Sequence, residues 1–471
     1  MSWIAKRLAE ADPHQAALND GIDALPYDQL AKRVASCRKS LIGAGMEDAR
    51  TIGLVVDQSV SSIILLLSLL ELRAPLLPLD PSLTPSERLR VGRLAGVDLW
   101  ITPDASADEQ QSAEASKQRS LCYSQIFDTL PGTLRQARFS NHLLLLTSGS
   151  SGPMKAARIP YSSLWRGAGK YQRWFHLTRH DRILSAVPFF HSFGLIGALL
   201  GSLAAGGTLY VCRHPSPRQI AEEVMRNRCT VLFAVPQQYE WLSQSQMIKA
   251  EQLDSLSLPI CSGGPLKEET AKAFQAKYGR RILPLYGSTE TGAIAAQHPL
   301  VMDGTGATGF LLPGVDVAVT DEGRLAVASD TLFAGYVGEK DCHRRTRYFV
   351  TGDIGAVQER RVYLVGRVSQ FVNLAGRKVN LEEVREVLLR HSDVREAQVI
   401  GAADPLAGEK LIAYLETRRQ LDLTELRHYL SQHLASYKIP QEFHYAEGLH
   451  RGWKTSVATD DEEGREAHVD S

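Results

Sequence analysis

The chain has 471 residues, of which 44% are hydrophobic and 23% charged, a profile of a folded globular protein rather than a largely disordered one. At roughly 100–200 residues per domain, this length implies two to four domains, or one large domain with a smaller one. Lys+Arg and Asp+Glu both number 53, so the formal net charge is zero and no global field gathers nucleic acid or an anionic membrane. Any phosphate binding has to come from a local site.

The six cysteines, Cys37, Cys122, Cys212, Cys229, Cys261 and Cys342, form no C-x-x-C pair and stand beside no spaced pair of histidines. That excludes a zinc or dithiol redox signature, and scattered thiols point to a reducing compartment. The start, Met1 to Gln15, lacks the apolar core of a signal peptide, and the longest apolar run, Ile63 to Leu70 with Ser68 inside it, is too short for a bilayer. A cytoplasmic location is the expectation.

In chain order, Tyr27 to Gly43 has helical spacing, Thr51 to Val56 reads as a buried strand, Ser61 to Leu72 as an apolar helix, and Ala74 to Pro81 as a short strand ending in a turn. This alternation predicts an α/β protein with mostly parallel sheet. Leu143 to Leu146 is a continuous apolar run that opens into Thr147-Ser-Gly-Ser-Ser-Gly152. A buried strand that ends in a small-residue loop is where α/β proteins hold ligands. A second region begins near Gly366-Arg367. Leu381 to Arg390 and Leu423 to Leu434 have helical spacing, Ala397 to Gly401 and Leu411 to Leu415 strand character, together an α+β module of about 100 residues. Asp460 to Ser471 is acidic and polar, a fraying tail.

Three segments carry candidate chemistry. In Leu146-Thr-Ser-Gly-Ser-Ser-Gly-Pro-Met-Lys155, Gly149 and Gly152 let backbone N–H groups face inward. Thr147, Ser148, Ser150 and Ser151 add hydroxyls, and Lys155 adds a positive charge, a set suited to polyphosphate. The spacing is not that of a Walker motif. In Leu285-Tyr-Gly-Ser-Thr-Glu290-Thr-Gly292, a carboxylate beside hydroxyls suits a magnesium ion next to phosphate. In Tyr348-Phe-Val-Thr-Gly-Asp353, an aspartate in a tight turn after a strand suits the hydroxyls of a ribose. Each has a plainer reading taken alone: a Ser/Gly surface loop, a helix-capping Glu290 and a turn-forming Asp353.

Their order is more specific than any one of them. The sequence resembles the adenylate-forming superfamily, which includes acyl-CoA synthetases, aryl-acid ligases, luciferases and peptide-synthetase adenylation domains, and the resemblance runs through nearly the whole chain. Pro75 to Pro81 resembles its early Pro-Leu-Asp-Pro motif, Thr147 to Lys155 its phosphate loop, and Pro188-Phe-Phe-His-Ser-Phe-Gly194 its acid-pocket helix. Ser262-Gly-Gly-Pro-Leu266 resembles the adenine-wall loop, Tyr286 to Glu290 the Tyr-Gly-x-Thr-Glu motif, Thr351-Gly-Asp353 the ribose motif and Gly366-Arg367 the hinge. Leu374-Ala-Gly376 and Leu381-Glu-Glu383 resemble the start of the small domain.

The resemblance implies a large N-terminal domain of layered α/β subdomains over 1–366, a hinge at 367–370, a small mobile α+β domain over 371–456 and an acidic flexible tail over 457–471. It implies two half-reactions: a carboxylate attacks the α-phosphorus of ATP to give acyl-AMP and pyrophosphate, and a nucleophile then displaces AMP. Thr289 is expected at the α-phosphate, Glu290 on magnesium, and Asp353 and Arg367 on the ribose. Tyr286 is expected to stack near the adenine, with Gly264 and Pro265 as another wall and Gly287 and Ser288 in the same nucleotide site. Lys155 is expected to serve catalysis from the phosphate loop. The sequence departs from the pattern at Ala156 where a glycine is usual, at Ser369 and Asn373 in and after the hinge, and at the C-terminal catalytic lysine. Lys454 fills that last role if the loop is two residues short; without a gap the position holds Ser456.

His191 stands where amino-acid-activating members carry an aspartate, and no acidic residue occurs from Pro188 to Leu200. A buried ammonium without a carboxylate is costly, which argues against α-amino acids. Phe189, Phe190, Phe193, Leu195, Phe233 and Val235 supply apolar surface beside His191, as a fatty or aromatic acid requires. The expected acceptor is a pantetheine thiol, on coenzyme A or on an acyl carrier protein that Arg418, Arg419 and Arg427 would meet; the plainer reading of those arginines is a solvated face. An amino-acid-loading adenylation protein and a nucleotide-binding homologue without turnover are the alternatives.

Overall fold

Two sheets build the larger part of the protein. They are seen in a computed structural model, which describes residues 2–43, 51–103, 119–123, 142–147, 154–301, 303–339, 347–367, 371–374, 377–404 and 408–445. The first sheet has six strands, in the order Arg119–Cys122, Leu99–Thr102, Ile52–Val55, Leu76–Leu79, His142–Thr147 and Lys155–Pro160. Its central strands are buried on both faces, which is why they read as continuous apolar runs rather than alternating ones. The Val60–Leu72 helix is buried nearly all round. The Ser59 hydroxyl accepts from the Ser62 N–H at its start, and Ser68, in its interior, satisfies its hydroxyl on the Ile64 carbonyl at 2.7 Å.

The second sheet has thirteen strands and changes character along its width. Thr208–Val211, Arg182–Ser185, Val231–Ala234, Leu258–Cys261 and Leu283–Ser288 run parallel. From Leu283–Ser288 onward the strands Gly292–Ala296, Gly309–Leu311, Arg361–Arg367, Phe349–Gln358, Arg324–Ser329 and Val315–Val319 are antiparallel. The expectation of mostly parallel sheet therefore applies to the first 290 residues or so. Beyond them the described strands are joined without an intervening α-helix, and parallel pairing requires such a crossover. The strand Leu283–Ser288 is the switch, parallel to one neighbour and antiparallel to the other, and the candidate site forms at its end.

The small domain opens with the hairpin Phe371–Leu374 and Arg377–Asn380. The Leu381–Leu389 helix follows, capped by the Asn380 side chain, which accepts from the N–H groups of Glu382 and Glu383. The predicted short strands at 397 and 411 are longer than expected, Val394–Asp404 and Gly408–Thr417, because they pair along almost their whole length as one antiparallel ladder. Glu442–Tyr445 adds a parallel edge, and the Leu423–His433 helix starts at an Asp422 cap. Val379, Val384, Leu388, Leu411 and Leu430 form its separate core. Among the described residues, no helix is long and apolar enough to cross a membrane.

The two parts meet through a buried charge cluster. Lys438, 2% exposed, donates to Glu87 Oε1 at 2.8 Å and to Glu383 Oε1 at 3.1 Å. Glu87 belongs to the Pro85–Ala95 helix of the large domain, where its other oxygen completes a capping box with Thr84. Arg90 of that helix also pairs with Glu383. Burial alone would depress the lysine, but the carboxylates of Glu383 and Glu87 outweigh it and hold the ammonium above its ordinary pKa. Replacing Lys438 by Met leaves the buried Glu87 carboxylate without its cation and Glu383 with Arg90 alone. The expected cost to this arrangement of the domains is about 3–5 kcal/mol. Limited proteolysis between 367 and 380 should accelerate in Lys438→Met; cleavage at the wild-type rate would show that the cluster does not hold the domains together.

Candidate active site

The Tyr-Gly-Ser-Thr-Glu segment is a β-hairpin. Strands Leu283–Ser288 and Gly292–Ala296 pair with Ser288 opposite Gly292, leaving Thr289, Glu290 and Thr291 as a three-residue tip. Gly292 closes it at φ +72°, the left-handed conformation such tips require. A Cβ at Gly287 would lie 2.5 Å from the Gly292 carbonyl, so this close backbone approach requires glycine at 287, and a Cβ at Gly292 would lie 2.7 Å from the Thr331 hydroxyl. The Ser288 and Thr291 hydroxyls lie 3.0 Å apart, and Thr331 donates to the Thr291 carbonyl at 2.8 Å. The tip is thus locked to itself and to the segment after Ser329.

Glu290 is 9% exposed and held at two points by that segment. Its carbonyl accepts from Phe333 N–H at 2.8 Å, and its Oε1 accepts from the Tyr336 hydroxyl at 2.8 Å. Burial, then the charge of Glu290, drives the Tyr336 phenol far above its usual pKa, so it stays protonated and donating. Lys155 places its ammonium 4.7 Å from the Tyr336 ring centroid and 2.9 Å from Glu339 Oε1. Thr147 lies directly across the sheet from Lys155. The sequence reading put Lys155 in a loop; it begins the returning strand Lys155–Pro160, which fixes its position. Tyr336 was missed. Its position forty-six residues from Glu290 carries no local signal; the pairing of Ala334 to Val337 with Ala156 to Arg158 brings it there.

Tyr286, two residues before the tip strand ends, donates its hydroxyl to Asp353 Oδ2 at 2.8 Å. Asp353 was expected in a tight turn. It lies inside the strand Phe349–Gln358, across from Arg367, because Asp353 to Gln358 pair with Arg361–Arg367 apart from one bulge. Thr351 fixes the local backbone by accepting from Asp353 N–H at 3.1 Å.

Beside the hairpin opens a narrow cleft of about 40 Å³. Ser262, Gly287, Ser288 and Thr289 form one end, and Gly167, Tyr171, Phe193 and Ile196 the other. The predicted acid-pocket residues divide. Phe193 lines the cleft, while Leu195 is fully buried in the core behind it, because two residues along the Phe193–Leu200 helix is about half a turn. His191 is exposed at the turn before that helix, with Phe190 edge-on to it at 4.7 Å. Phe189 and Phe233 are core residues, and Val235 packs 3.3 Å from where a Cβ of Gly263 would sit. Gly264 and Pro265 follow the strand Leu258–Cys261, and Pro265 is exposed. Ser148, Gly149, Ser150, Ser151, Gly152, Ser369, Lys454 and Ser456 lie outside the described residues, as does the 457–471 tail. The small-domain arginines are largely spent internally: Arg419 pairs with Asp393 at 3.0 Å, and Arg427 donates to the carbonyls of Pro440 and Gln441.

The family model described as AMP-binding enzyme matches residues 5–337, and that of the AMP-binding enzyme C-terminal domain matches 383–451. The chain belongs to the AMP-binding enzyme family. It is 25% identical to a feruloyl-CoA synthase of Amycolatopsis sp. over 468 residues, 95% of each chain. It is 25% identical to a 4-chlorobenzoate–CoA ligase of Arthrobacter sp. over 491, covering 97% of this chain and 93% of the relative. The solved structure of ATP-bound MatB from Rhodopseudomonas palustris superposes with a TM-score of 0.71 over 96% of both chains at 26% identity.

Tyr336→Phe removes a donor from a carboxylate that is almost fully buried. We expect a loss of about 1–3 kcal/mol in urea denaturation. A variant as stable as the wild type would show that Glu290 does not depend on Tyr336.

Proposed function

We propose that this protein is an AMP-forming acid–thiol ligase. A carboxylate oxygen attacks the α-phosphorus of ATP, the P–O bond to pyrophosphate breaks, and the acyl adenylate remains. A thiolate sulfur then attacks the acyl carbon, and AMP leaves with the oxygen it shared. The observation that carries this reading is the hairpin tip, which sets Thr289 and Glu290 beside Lys155 on one side and the Tyr286–Asp353 pair on the other.

Thr289 and Lys155 are assigned to the phosphates, with the 147–152 loop; charge neutralisation and positioning are most of what phosphoryl transfer asks of a protein. Asp353 accepts ribose hydroxyls, with Arg367 opposite, and Tyr286, anchored to Asp353, presents its ring toward the base. Glu290 fits a magnesium ion: it is a hard oxygen donor in a hydroxyl-rich turn, with one oxygen oriented by Tyr336. Such an ion, when bound, neutralises phosphate charge. The hinge at 367–370 lets the small domain, 371–456, turn between the two half-reactions and bring Lys454 to the first.

The acid is a carboxylic acid that fits an uncharged cleft, which disfavours α-amino acids. Coenzyme A is the acceptor favoured by the relatives' named activities. A carrier protein is the weaker alternative, since Arg419 and Arg427 are already paired within the small domain. The balance of charges and thiols favours a cytoplasmic enzyme.

The test is pyrophosphate release from ATP and magnesium across fatty, aromatic and amino acids, with mass spectrometry of the acyl-AMP. Glu290→Gln should lower the rate by about 100-fold or more, and Lys454→Ala should abolish adenylation while sparing ATP binding. Adenylation at the wild-type rate in Lys454→Ala would remove that lysine from the mechanism. ATP binding with no acid-dependent release from any acid would favour a homologue without turnover.

A further inference from the structure

A buried cation that the proposed reaction does not use stands behind the hairpin tip. Lys170 is 3% exposed, on the Tyr161–Trp174 helix, and lysine is almost never buried without a partner. Its ammonium pairs with Asp330 Oδ1 at 2.5 Å and donates to Ser329 Oγ at 3.2 Å. Burial pulls its pKa below the ordinary value, and Asp330 opposes that pull. The helix carries Ser163, Arg166 and Lys170 at i, i+3 and i+7, on one face. Ser163 donates to the Leu332 carbonyl and Arg166 to the Asp330 carbonyl, both at 3.1 Å, so that face holds the 329–332 segment along its length.

The ion pair with Asp330 accounts for the charge but not for the bond to Ser329. What that bond does follows from counting protons. A hydroxyl has one proton to give and two lone pairs that accept. Ser329 Oγ accepts from Lys170 and from the Thr331 N–H at 3.2 Å, which fills both lone pairs. Its proton therefore goes to Thr331 Oγ1, 2.7 Å away. Thr331 in turn gives its own proton to the Thr291 carbonyl at 2.8 Å. The chain ends at the tip, where Thr291 Oγ1 donates to the Gly292 carbonyl at 3.0 Å and accepts from the Ser288 N–H at 3.2 Å.

An ammonium can only donate, so Lys170 fixes the direction of every later bond in this chain. With an apolar side chain in its place, Ser329 regains a lone pair and its proton can turn away from Thr331. Hydrogen bonds in such a chain strengthen one another, so the loss is carried to Thr291. Thr331 cannot compensate by moving closer, because its Oγ1 already lies 2.7 Å from where Gly292 would carry a Cβ. The Thr291 carbonyl adjoins that of Glu290, which accepts from the Phe333 N–H at 2.8 Å. Two consecutive carbonyls of the tip are thus held by one segment, and the helix orients that segment.

We propose that Lys170 is a positioning residue: its ammonium sets the direction of the Ser329–Thr331–Thr291 hydrogen bonds and so holds the tip that carries Thr289 and Glu290. The proposal rests on the ligase reading for the work the tip does. A misplacement of about 1 Å by a substitution remote from the chemistry is enough to slow such a reaction markedly.

The experiment compares the wild type with Lys170→Met, Ser329→Ala and the double variant. Pyrophosphate release is measured as kcat and as KM for ATP and for the acid, beside hydrogen–deuterium exchange of the 286–296 peptide and the melting temperature. Each single variant should lower kcat by about tenfold, with both KM values within about twofold, and should speed exchange at 286–296. The double variant should be no slower than the worse single one, because both break one chain. Ser329→Ala leaves the Lys170–Asp330 pair in place, so it decides alone should Lys170→Met not fold. A Ser329→Ala protein with wild-type kcat and wild-type exchange at 286–296 would make Lys170 a plain ion-pair partner and overturn the proposal, as would losses that multiply in the double variant. Absence of acid-dependent pyrophosphate release in the wild type would instead overturn the ligase reading, and exchange at 286–296 would still decide whether Lys170 holds the tip.

Discussion

The close approach of two backbones at Gly287 and Gly292 is the constraint on which the site depends. A side chain at either position would collide, with the Gly292 carbonyl in one case and with Thr331 in the other. With both absent, the strand at the parallel-to-antiparallel switch can fold straight back, and Thr289 of the three-residue tip lines the cleft. Thr289 and Glu290 are therefore carried by paired strands on both sides, which fixes their positions. Everything else in the site is arranged around that tip: Tyr336 and Phe333 grip Glu290 from one side, and Tyr286 reaches Asp353 from the strand leading into it.

The same economy recurs between the domains. Lys438 is an interior cation shared by one carboxylate from each part of the chain, and Arg90 reinforces one of them. Such a cluster is a poor source of net stability, because both sign partners lose water. It is, however, highly intolerant of partial disassembly. A charge cluster across the domain boundary therefore defines one domain arrangement sharply.

Much of this was legible in the sequence. The helix Tyr27–Gly43 appears with the bounds its periodicity gives, and the alternation to about residue 290 carries the parallel sheet. Tyr286, Thr289, Glu290 and Asp353 could be singled out because their chemistry is concentrated in short strings. What could not be read was long-range. Asp353 looked like a turn residue since Thr-Gly-Asp favours turns locally, and only the pairing with Arg361–Arg367 makes it strand. Tyr336 is a single aromatic residue whose partner, Glu290, lies forty-six residues away. Leu195 looked like pocket lining because it is apolar and adjoins the Pro188–Gly194 string, but it stands about half a helical turn from Phe193 and faces the core.

The central claim is that the acid passes through a mixed anhydride with AMP, and isotope transfer tests it most directly. The preferred acid is labelled with 18O in both carboxylate oxygens and turned over with ATP, magnesium and coenzyme A. The account predicts one 18O in the phosphate of each AMP released and none in pyrophosphate. Label in inorganic phosphate or pyrophosphate, or thioester formed with unlabelled AMP, would contradict it.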